Sequence, residues 1–343
     1  MVEENYYLNG SLSIPLFWQW LGNLISQYKI NFIVLKPRSN LSVHIYDKHS
    51  DQIDNFLLSA QCINLEWSPD GETLALIQEK SSLLLLWDAN SKKISLQLDT
   101  NMKSLRLLKW SENGDKLSIG TAKGNLFILD RRSGKKIPVM GKHTKSIVCG
   151  AWNSDDCFAC ASDDQTFSIS NTAGDTLFQM PIKGDPSQMQ WNKNTNKDNK
   201  SESLLSIVLN ERSLFFYNTN DSNSPTELSF QTKYGNIVNY EWFGESSIII
   251  GFSLGYLIVI STKKNEIGQE IFQSRDHKDV LTDVSISLAL NKVATCGDTC
   301  IKIHDLSDMQ DVWAIINLDD ERCKLDEIGW SEDGQFLTIS TKE

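Results

Sequence analysis

The sequence lacks any long hydrophobic segment and is poor in proline. No apolar run is longer than the five residues of Leu83–Trp87, whereas a membrane-spanning helix needs about 18 apolar residues or more. Seven prolines and 19 glycines among 343 residues exclude a collagen-like chain and argue against general disorder. With 40% hydrophobic residues, the chain has the composition of a folded protein with a sizeable core.

The sequence also has fewer basic than acidic residues and an odd, small number of cysteines. Thirty-three Lys and Arg stand against 44 Asp and Glu, giving a net charge of −11. No nucleic-acid partner is expected, because duplex binding needs a basic face. The first residues include Glu3 and Glu4 but no Lys or Arg, unlike a secretory leader. Seven cysteines, an odd number, favour free thiols over a disulfide framework, so we expect a cytosolic protein.

Tryptophan, by contrast, is abundant and recurs in one context. Seven of the ten tryptophans each end a short alternating segment and precede a polar turn. These are Trp20, Trp67, Trp110, Trp152, Trp191, Trp242 and Trp330. The turn contains Asp-Gly or Asn-Gly at Asp70-Gly71, Asn113-Gly114 and Asp333-Gly334, a strong hairpin signal because glycine tolerates positive φ. The spacings between successive tryptophans are 47, 43, 42, 39, 51 and 88.

Four strand-like segments follow one another within each period. In the second repeat they are Cys62–Trp67, Thr73–Gln78, Leu83–Asp88 and Lys93–Leu98. A period of about 40–45 residues with four strands is typical of a β-propeller, whose small sheets must stack on one another to bury both faces. We therefore predict an all-β fold with seven four-stranded antiparallel blades. The tryptophans expected to pack between blades are Trp67, Trp87, Trp110, Trp152, Trp242 and Trp330.

Two departures from the period have simple explanations. The spacing of 88 is twice 44, which places a repeat without tryptophan near Ile286. The spacing of 51 contains the Asn- and Lys-rich segment Asn192–Ser203, which we interpret as a mobile surface loop. We therefore predict a propeller over residues 1–324 with an insertion at 192–203. Residues 325–343 would begin an eighth repeat, either as an overhang or as strands that close the ring.

These repeats resemble the WD-repeat family. Trp87-Asp88 matches the dipeptide that names the family, and Gly141-Lys142-His143 resembles its Gly-His element with one residue inserted. In that family a His, a Ser or Thr, an Asp and a Trp of one blade form a hydrogen-bonded tetrad. The resemblance implies that an eroded version of this network is present in some blades and that burial holds most of them together.

Two repeats keep enough of the tetrad to name its members. The resemblance implies tetrad-like positions at His143 and Asp164 in the fourth repeat, where Cys160 and Ser170 replace the hydroxyl and the indole. In the seventh repeat the corresponding residues are His277, Thr295 and Asp298, with His304 where the family has Trp.

Longer strings narrow the resemblance to the N-terminal propellers found in subunits of intraflagellar transport complex A. They are Glu79–Asn90, Gly120–Asn153, Gly268–Asp279 and Leu290–Ile303. The resemblance implies a longer parent protein of the cilium, cytoplasm and basal body region. It would be a non-enzymatic scaffold that supports retrograde ciliary transport and the ciliary entry of membrane proteins. The implied partners are other subunits of complex A and ciliary membrane-protein cargo or adaptors.

One string imitates a hydrolase motif. Gly251–Gly255 matches G-x-S-x-G, but a nucleophile elbow requires a helix after the serine, and Tyr256–Ile260 is strand-like. We therefore interpret it as a hairpin turn, and no catalytic residue is predicted.

Two further motifs imitate binding sites. Cys157 and Cys160 have C-x-x-C spacing, but we expect them in one strand, where they would point to opposite faces. Gly134 and Gly141-Lys142 are too far apart for a phosphate loop, and His143 follows the lysine where Ser or Thr is needed. No metal or cofactor is predicted.

One charged feature departs from the acidic average. Six cations fall within fifteen residues: Arg131, Arg132, Lys135, Lys136, Lys142 and Lys145. They form either a solvated rim or a docking surface for an acidic partner. An alternative function follows from the same cluster, namely a membrane-proximal coat element that binds anionic lipid through a basic blade edge. The acidic stretch Asp319, Asp320, Glu321, Asp326 and Glu327 could orient association from the other side.

Overall fold

The structure is a computed structural model that describes part of the chain. The described residues are 18–19, 32–37, 41–47, 52–139, 143–192, 203–244, 246–318, 324–331 and 333–342. Trp20, Lys142 and most of the 192–203 segment lie outside them, as do Asp319, Asp320 and Glu321. Within the described residues the regular elements are β-strands, apart from one 3₁₀ turn at Thr232–Tyr234.

Four strands form each of the first four sheets, which we call blades. The first blade contains β1 (Trp18–Gln19), β2 (Phe32–Pro37), β3 (Ser42–Asp47) and β4 (Gln52–Leu57). The second contains β5 (Cys62–Trp67), β6 (Thr73–Gln78), β7 (Leu83–Asp88) and β8 (Lys93–Asp99). The third contains β9 (Leu105–Trp110), β10 (Lys116–Thr121), β11 (Leu126–Asp130) and β12 (Lys136–Val139). The fourth contains β13 (Ile147–Trp152), β14 (Phe158–Ser162), β15 (Thr166–Ser170) and β16 (Thr176–Pro181).

The remaining strands form three further blades and a C-terminal hairpin. The fifth blade contains β17 (Pro186–Trp191), β18 (Leu204–Leu209), β19 (Ser213–Asn218) and β20 (Asp221–Ser229). The sixth contains β21 (Ile237–Phe243), β22 (Ser247–Phe252), β23 (Tyr256–Ser261) and β24 (Glu270–Arg275). The seventh contains β25 (Leu281–Ser287), β26 (Lys292–Gly297), β27 (Cys300–Asp305) and β28 (Val312–Asn317). The C-terminal hairpin contains β29 (Lys324–Trp330) and β30 (Leu337–Lys342).

Each blade is an antiparallel meander in which sequence neighbours are hydrogen-bonded neighbours. In the second blade, for example, Leu74 lies opposite Trp67 on one side and Trp87 on the other. The first strand of a blade contacts the first strand of the next, as β5 does with β9 and β9 with β13. The prediction of an all-β propeller with four-stranded antiparallel blades and extra C-terminal strands is confirmed.

The hydrophobic core is divided into clusters, each shared by two successive sheets. Between the second and third blades, for instance, Ala75 and Ile77 pack with Leu108, Trp110 and other apolar side chains. The middle strands are buried on both faces because each face meets a different blade; all six residues of β6 are buried. Burying a leucine contributes about 1.5–3 kcal/mol, so these seams supply most of the stability.

The C-terminal hairpin continues the series of blades. Leu325 and Ile328 of β29 pack in one cluster with Ala294, Ile301 and Ile303 of the seventh blade. On the other side β30 contacts β1. The hairpin therefore lies between the seventh blade and the first.

Candidate functional site

His143 of the fourth blade lies in a polar network that differs from the one expected. Its Nε2 is hydrogen-bonded to Ser168 Oγ at 2.9 Å, and its Nδ1 lies 3.0 Å from Thr166 Oγ1 and 3.4 Å from Asp164 Oδ1. Cys160 joins more weakly, with its Sγ 3.5 Å from Ser168 Oγ. His143, Asp164 and Cys160 were predicted from the sequence to share a blade network. Ser168 and Thr166, which complete the network, were not predicted.

The fourth-blade network is built to hold strands together. Burial lowers the pKa of His143, which favours the neutral imidazole. Burial by itself would raise the pKa of Asp164, but hydrogen bonds from Thr166 and from Thr144 N–H hold that pKa below its usual value. Ser170 Oγ, where the family has the indole, is buried without a hydrogen-bond partner.

The seventh blade contains a second network, centred on Asp276. His277 Nε2 is hydrogen-bonded to Thr295 Oγ1 at 3.0 Å, and Thr295 Oγ1 donates to Asp276 Oδ2 at 3.2 Å. His304 Nε2 bonds the same carboxylate oxygen at 2.7 Å. Asp298 accepts backbone N–H groups, including that of Val280 at 2.9 Å, and its carboxylate is 3.9 Å from His277 Nδ1.

Asp276 is the member that the sequence did not assign to this network. His277 and His304 are 1% and 2% exposed, and burial lowers the pKa of His277. These imidazoles are buried away from solvent, and their hydrogen bonds join strands of the seventh blade.

The inner-strand tryptophans share one hydrogen bond that crosses from blade to blade. The indole Nε1 of Trp110 donates to Glu66 O at 3.1 Å, and that of Trp152 donates to Lys109 O at 3.0 Å. Trp191 donates in the same way to Ala151 O at 3.1 Å. In each case the acceptor immediately precedes the tryptophan of the preceding blade, so the bonds run in one direction around the ring.

Trp242 follows the same scheme through a serine. Its Nε1 donates to Ser206 Oγ at 2.9 Å, and Ser206 Oγ donates to Gln190 O, again the residue before a tryptophan. Trp330 breaks the scheme, because its Nε1 is buried without an acceptor. The equivalent position of the seventh blade is Ile286, where the spacing predicts a repeat without tryptophan.

Trp67 and Trp87 pack against each other in the second blade. Their rings meet edge to face with centroids 5.9 Å apart, and Trp87 is fully buried. Trp87 Nε1 donates to Asp54 Oδ2 of the first blade at 2.6 Å. The tryptophan of the WD dipeptide thus bonds to a neighbouring blade.

Inner strands also carry polar side chains that bond in the opposite direction, to the next blade. Gln188 Nε2 and Gln190 Nε2 donate to Val238 O and Tyr240 O at 2.7 and 2.8 Å. Asp283 Oδ2 accepts the N–H of Ile328 at 3.0 Å, which ties the C-terminal hairpin to the seventh blade. Burial raises the pKa of Asp283 to about 6. Sequence reasoning missed these residues because polar residues on a strand resemble a solvent-exposed face.

Glu66 and Lys109 form an ion pair between the inner strands of the second and third blades. Lys109 Nζ lies 3.4 Å from Glu66 Oε1, while Glu66 Oε2 is buried without a partner. Burial raises the pKa of Glu66 to about 7, although the lysine opposes this shift.

The basic cluster is divided by the structure. Arg131 is directed inward: it pairs with Asp70, donates to Thr73 Oγ1 at 2.7 Å, and lies 5.5 Å from the centroid of Trp110. Its side chain is 24% exposed. Arg131 therefore joins the second and third blades.

Three other described cations of the cluster, Arg132, Lys135 and Lys145, are more accessible. The Arg132 side chain is 82% exposed and pairs with Asp115 at 3.1 Å. Lys136 Nζ donates to Asp99 O, whereas Lys135 and Lys145 are exposed and form no ion pair within the described residues. Lys135 precedes β12 and Lys145 follows it, so the two lie toward opposite ends of that strand. We call Arg132, Lys135 and Lys145 the basic edge.

The acidic stretch does not form a continuous surface in the part that is described. Asp326 is only 7% exposed and Glu327 is half-buried. Both belong to β29, which packs against the seventh blade.

The hydrolase-like string is a hairpin turn. Gly251 belongs to β22, and Gly255, with φ +86°, immediately precedes β23. A Cβ at Gly255 would lie 1.9 Å from His277 O, so glycine is required there by a close backbone contact.

The two cysteines of the C-x-x-C string, Cys157 and Cys160, lie in different local settings. β14 begins at Phe158, so Cys157 precedes the strand and our placement of both thiols in one strand was wrong. Burial raises the pKa of Cys160 to about 12. No group of three or more His, Cys, Asp or Glu is placed to bind a metal ion among the described residues. Nor does any described helix have the length and apolar character needed to span a bilayer.

Comparison with known proteins identifies related sequences along nearly the whole chain. The family model described as "WDR19 first beta-propeller" matches residues 25–343. WD repeat-containing protein 19 of Homo sapiens is 46% identical over 337 residues, covering 96% of this chain. WD repeat-containing protein dyf-2 of Caenorhabditis elegans is 32% identical over 325 residues, covering 94% of it.

A solved structure shares the fold, and the relatives are much longer. The C-terminal WD40 domain of Sif2 superposes with a TM-score of 0.73 at 15% identity, covering 95% of this chain and 94% of that one. The chain spans 24% of the human relative and 23% of the worm relative, about a quarter of their length.

Proposed function

Because this chain belongs to the WDR19 first β-propeller family, we propose that it is a non-enzymatic protein-interaction scaffold of intraflagellar transport complex A. In this role it supports retrograde ciliary transport and the ciliary entry of membrane proteins. Its partners are the other subunits of the complex and membrane-protein cargo or adaptors. Its sites of action are the cilium, the basal body region and the cytoplasm.

The observation that carries the proposal is the identity of 46% to human WD repeat-containing protein 19 over 96% of this chain. The polar networks of the described residues agree with a scaffold role. The histidines of the fourth and seventh blades are 8% exposed or less, and their hydrogen bonds join strands. A rigid ring of this kind presents exposed rims and loops to partners, with affinity set by a few anchor residues.

The basic edge is the surface that we assign to a protein partner. Lys135 and Lys145 lie near opposite ends of β12, which favours an extended acidic surface over a small ligand, since small ligands need a concave site. Acidic residues lie among these cations, for instance Asp115 beside Arg132. Such interleaving lowers the attraction to an anionic membrane plane and favours a protein surface with its own charge pattern.

The proposal is tested by co-assembly of the double variant Arg132→Glu, Lys135→Glu with the other complex A subunits. Exposed charges contribute little to stability, so the variant should melt like the parent chain. Its affinity for the reconstituted complex should fall about tenfold or more at low salt and less at high salt.

Lys263→Glu, Lys264→Glu is the matched control, since it makes the same charge change at exposed residues of the sixth blade. It should co-assemble like the parent. Failure of the parent chain to enter the complex would refute the scaffold proposal. Salt-dependent binding of the parent, but not of the Arg132/Lys135 variant, to phosphatidylserine vesicles would instead support the lipid-binding alternative.

A further inference from the structure

The outer strand of the seventh blade, β28, exposes an unusual amount of apolar surface. Val312, Trp313, Ile315 and Ile316 are 39%, 62%, 53% and 38% exposed. The charged Lys292 ammonium lies over the Trp313 ring, 4.8 Å from the ring centroid. Exposed apolar residues are ordinary when scattered, but four in one six-residue edge strand form a patch.

Edge strands normally carry residues that prevent pairing with another chain, such as charges or proline. The outer strand of each of the other six described blades contains at least one charged residue or proline. Examples, in chain order, are Asp54, Lys93, Lys136, Pro181, Glu227 and Glu270. Among the seven outer strands that the structure describes, β28 alone contains neither a charged residue nor a proline.

Among the described strands, β28 lies at the edge of its sheet and has no strand paired to its outer side. Leu318 N donates to Thr299 O at 2.9 Å, so Leu318 and Thr299 form a hydrogen-bonded pair. Asn317 and Ile315, which lie opposite Cys300 and Lys302, belong to the non-bonded pairs of the same register. In an antiparallel pair, bonded and non-bonded residues alternate along the strand. The N–H and C=O groups of Ile315 and Asn317 therefore point away from β27, toward the open side of the sheet.

We propose that β28 is a docking edge for an extended segment of a partner protein, which adds to the seventh blade as a fifth strand. The partner's backbone would pair with Ile315 and Asn317, and its alternate apolar side chains would cover Trp313 and Ile315. Basic residues should flank the apolar part, because the exposed Asp308 and Asp311 lie just before β28.

A second copy of this chain is a poorer occupant than a basic partner. The sequence is acidic before β28, at Asp308 and Asp311, and acidic after it, at Asp319, Asp320 and Glu321. Pairing of two β28 strands in either direction would bring acidic sequence against acidic sequence. Like charges at such a contact are unfavourable, and the net charge of −11 adds to the repulsion.

The docking edge is independent of the basic edge of the third blade. It requires a partner segment of the stated chemistry, whichever complex the protein belongs to. A chain that binds the segment but does not enter complex A would refute the proposed function and leave this inference standing. A chain that enters the complex but does not bind the segment would refute this inference and leave the proposed function standing.

The test uses a synthetic ten-residue peptide with alternating threonine and valine between two lysines at each end, labelled for fluorescence anisotropy. Saturable binding to the chain is expected, with protection from hydrogen exchange at the amides of Ile315 and Asn317. A peptide with proline at its centre should not bind, because proline cannot donate to the strand pairing. Binding without protection at these amides would overturn the proposal.

Ile315→Lys should weaken peptide binding about tenfold or more, because it places a cation on the docking edge. Ile271→Lys is the matched control, since Ile271 is 61% exposed on the outer strand of the sixth blade; it should bind like the parent. Should Ile315→Lys fail to fold, Ile315→Thr removes apolar contact while keeping a β-branched residue. Equal binding by parent and variants would overturn the proposal, as would a dimer of the parent that Ile315→Lys dissociates.

Discussion

Arg131 and Arg132 are adjacent in the sequence but occupy opposite environments. Arg131 reaches from the third blade to Asp70 and Thr73 of the second, with its guanidinium over Trp110. Arg132 extends into solvent beside Asp115. A cluster of cations in a sequence therefore says little about which of them are available to a partner.

The pair provides a direct stability test. Arg131→Ala should lower the free energy of unfolding by about 1–3 kcal/mol, because it removes the donor shared by Asp70 Oδ2 and Thr73 Oγ1. Arg132→Ala should change it by about 0.5 kcal/mol or less, as is typical of exposed ion pairs. Urea unfolding of the two variants measures both values. Equal losses would show that Arg131 does not join the blades.

Glu66 predicts a specific pH dependence. Its pKa is about 7 in the folded chain against an ordinary 4.5, so between these values the folded state holds a proton that the unfolded state has released. The contribution is thus fully present below pH 4.5 and is lost as the pH rises through 7, at a cost of about 3 kcal/mol.

The Glu66→Gln variant removes this titration. Unfolding by urea at pH 5 and pH 8 should show a smaller fall in stability for the variant than for the parent. Glu79→Gln, at an exposed side chain, should keep the parent's profile. An identical pH dependence in parent and Glu66→Gln would show that this carboxyl titrates normally.

The members of the buried networks show what sequence could predict at the residue scale. His143 and His277 were identified because a family pattern marks them. Ser168, Thr166 and Asp276 were not, because their roles depend on which side chain fills the space left by a missing indole. That outcome is decided by strand register and rotamer, which no pattern of residue types records.

Indole hydrogen bonds join the inner strands of neighbouring blades. Their contribution to the free energy of unfolding can be measured by comparing two tryptophan variants. Trp152→Phe removes the N–H that bonds Lys109 O, whereas Trp330→Phe removes an N–H that has no acceptor. The loss for Trp152→Phe should exceed that for Trp330→Phe by about 1–2 kcal/mol. Denaturant titrations of the two variants measure the difference. A larger loss for Trp330→Phe would contradict the assigned role of the bond.

Strand limits were predictable where turn chemistry was strong. Cys62–Trp67, Thr73–Gln78 and Leu83–Asp88 were predicted with the observed bounds, since Asp70-Gly71 fixes the first turn and apolar runs fill the core. The outer strand of that blade ends at Asp99, one residue beyond the prediction. Outer strands are less marked because one of their faces meets solvent, which leaves the residue pattern weakly constrained.

The ring as a whole depends on how its last and first sheets meet. The C-terminal hairpin packs on the seventh blade through Leu325 and Ile328, and Asp283 accepts its Ile328 N–H. The sequence predicted strands at this position but left their role open between overhang and closure. We propose that the hairpin closes the ring, because it contacts both the seventh blade and β1.

Removal of the hairpin tests this closure. A chain ending at Leu318 should lose about 3–6 kcal/mol of stability, from the burial of Leu325 and Ile328 alone at about 1.5–3 kcal/mol each. Calorimetry of the shortened and parent chains measures the change. Ile339→Ala, at a 39% exposed residue of the hairpin, should have little effect. A shortened chain as stable as the parent would mean that the hairpin is an overhang.

The one-way indole bonds bear on how a ribosome-bound nascent chain can fold. Trp110, Trp152 and Trp191 find their acceptors 44, 43 and 40 residues earlier in the chain. Each acceptor has therefore already been synthesised when its tryptophan emerges. A blade can therefore dock on the preceding one as soon as its first strand is free, without waiting for later sequence. The ring is thus suited to assembly in the order of translation, with closure as its last step.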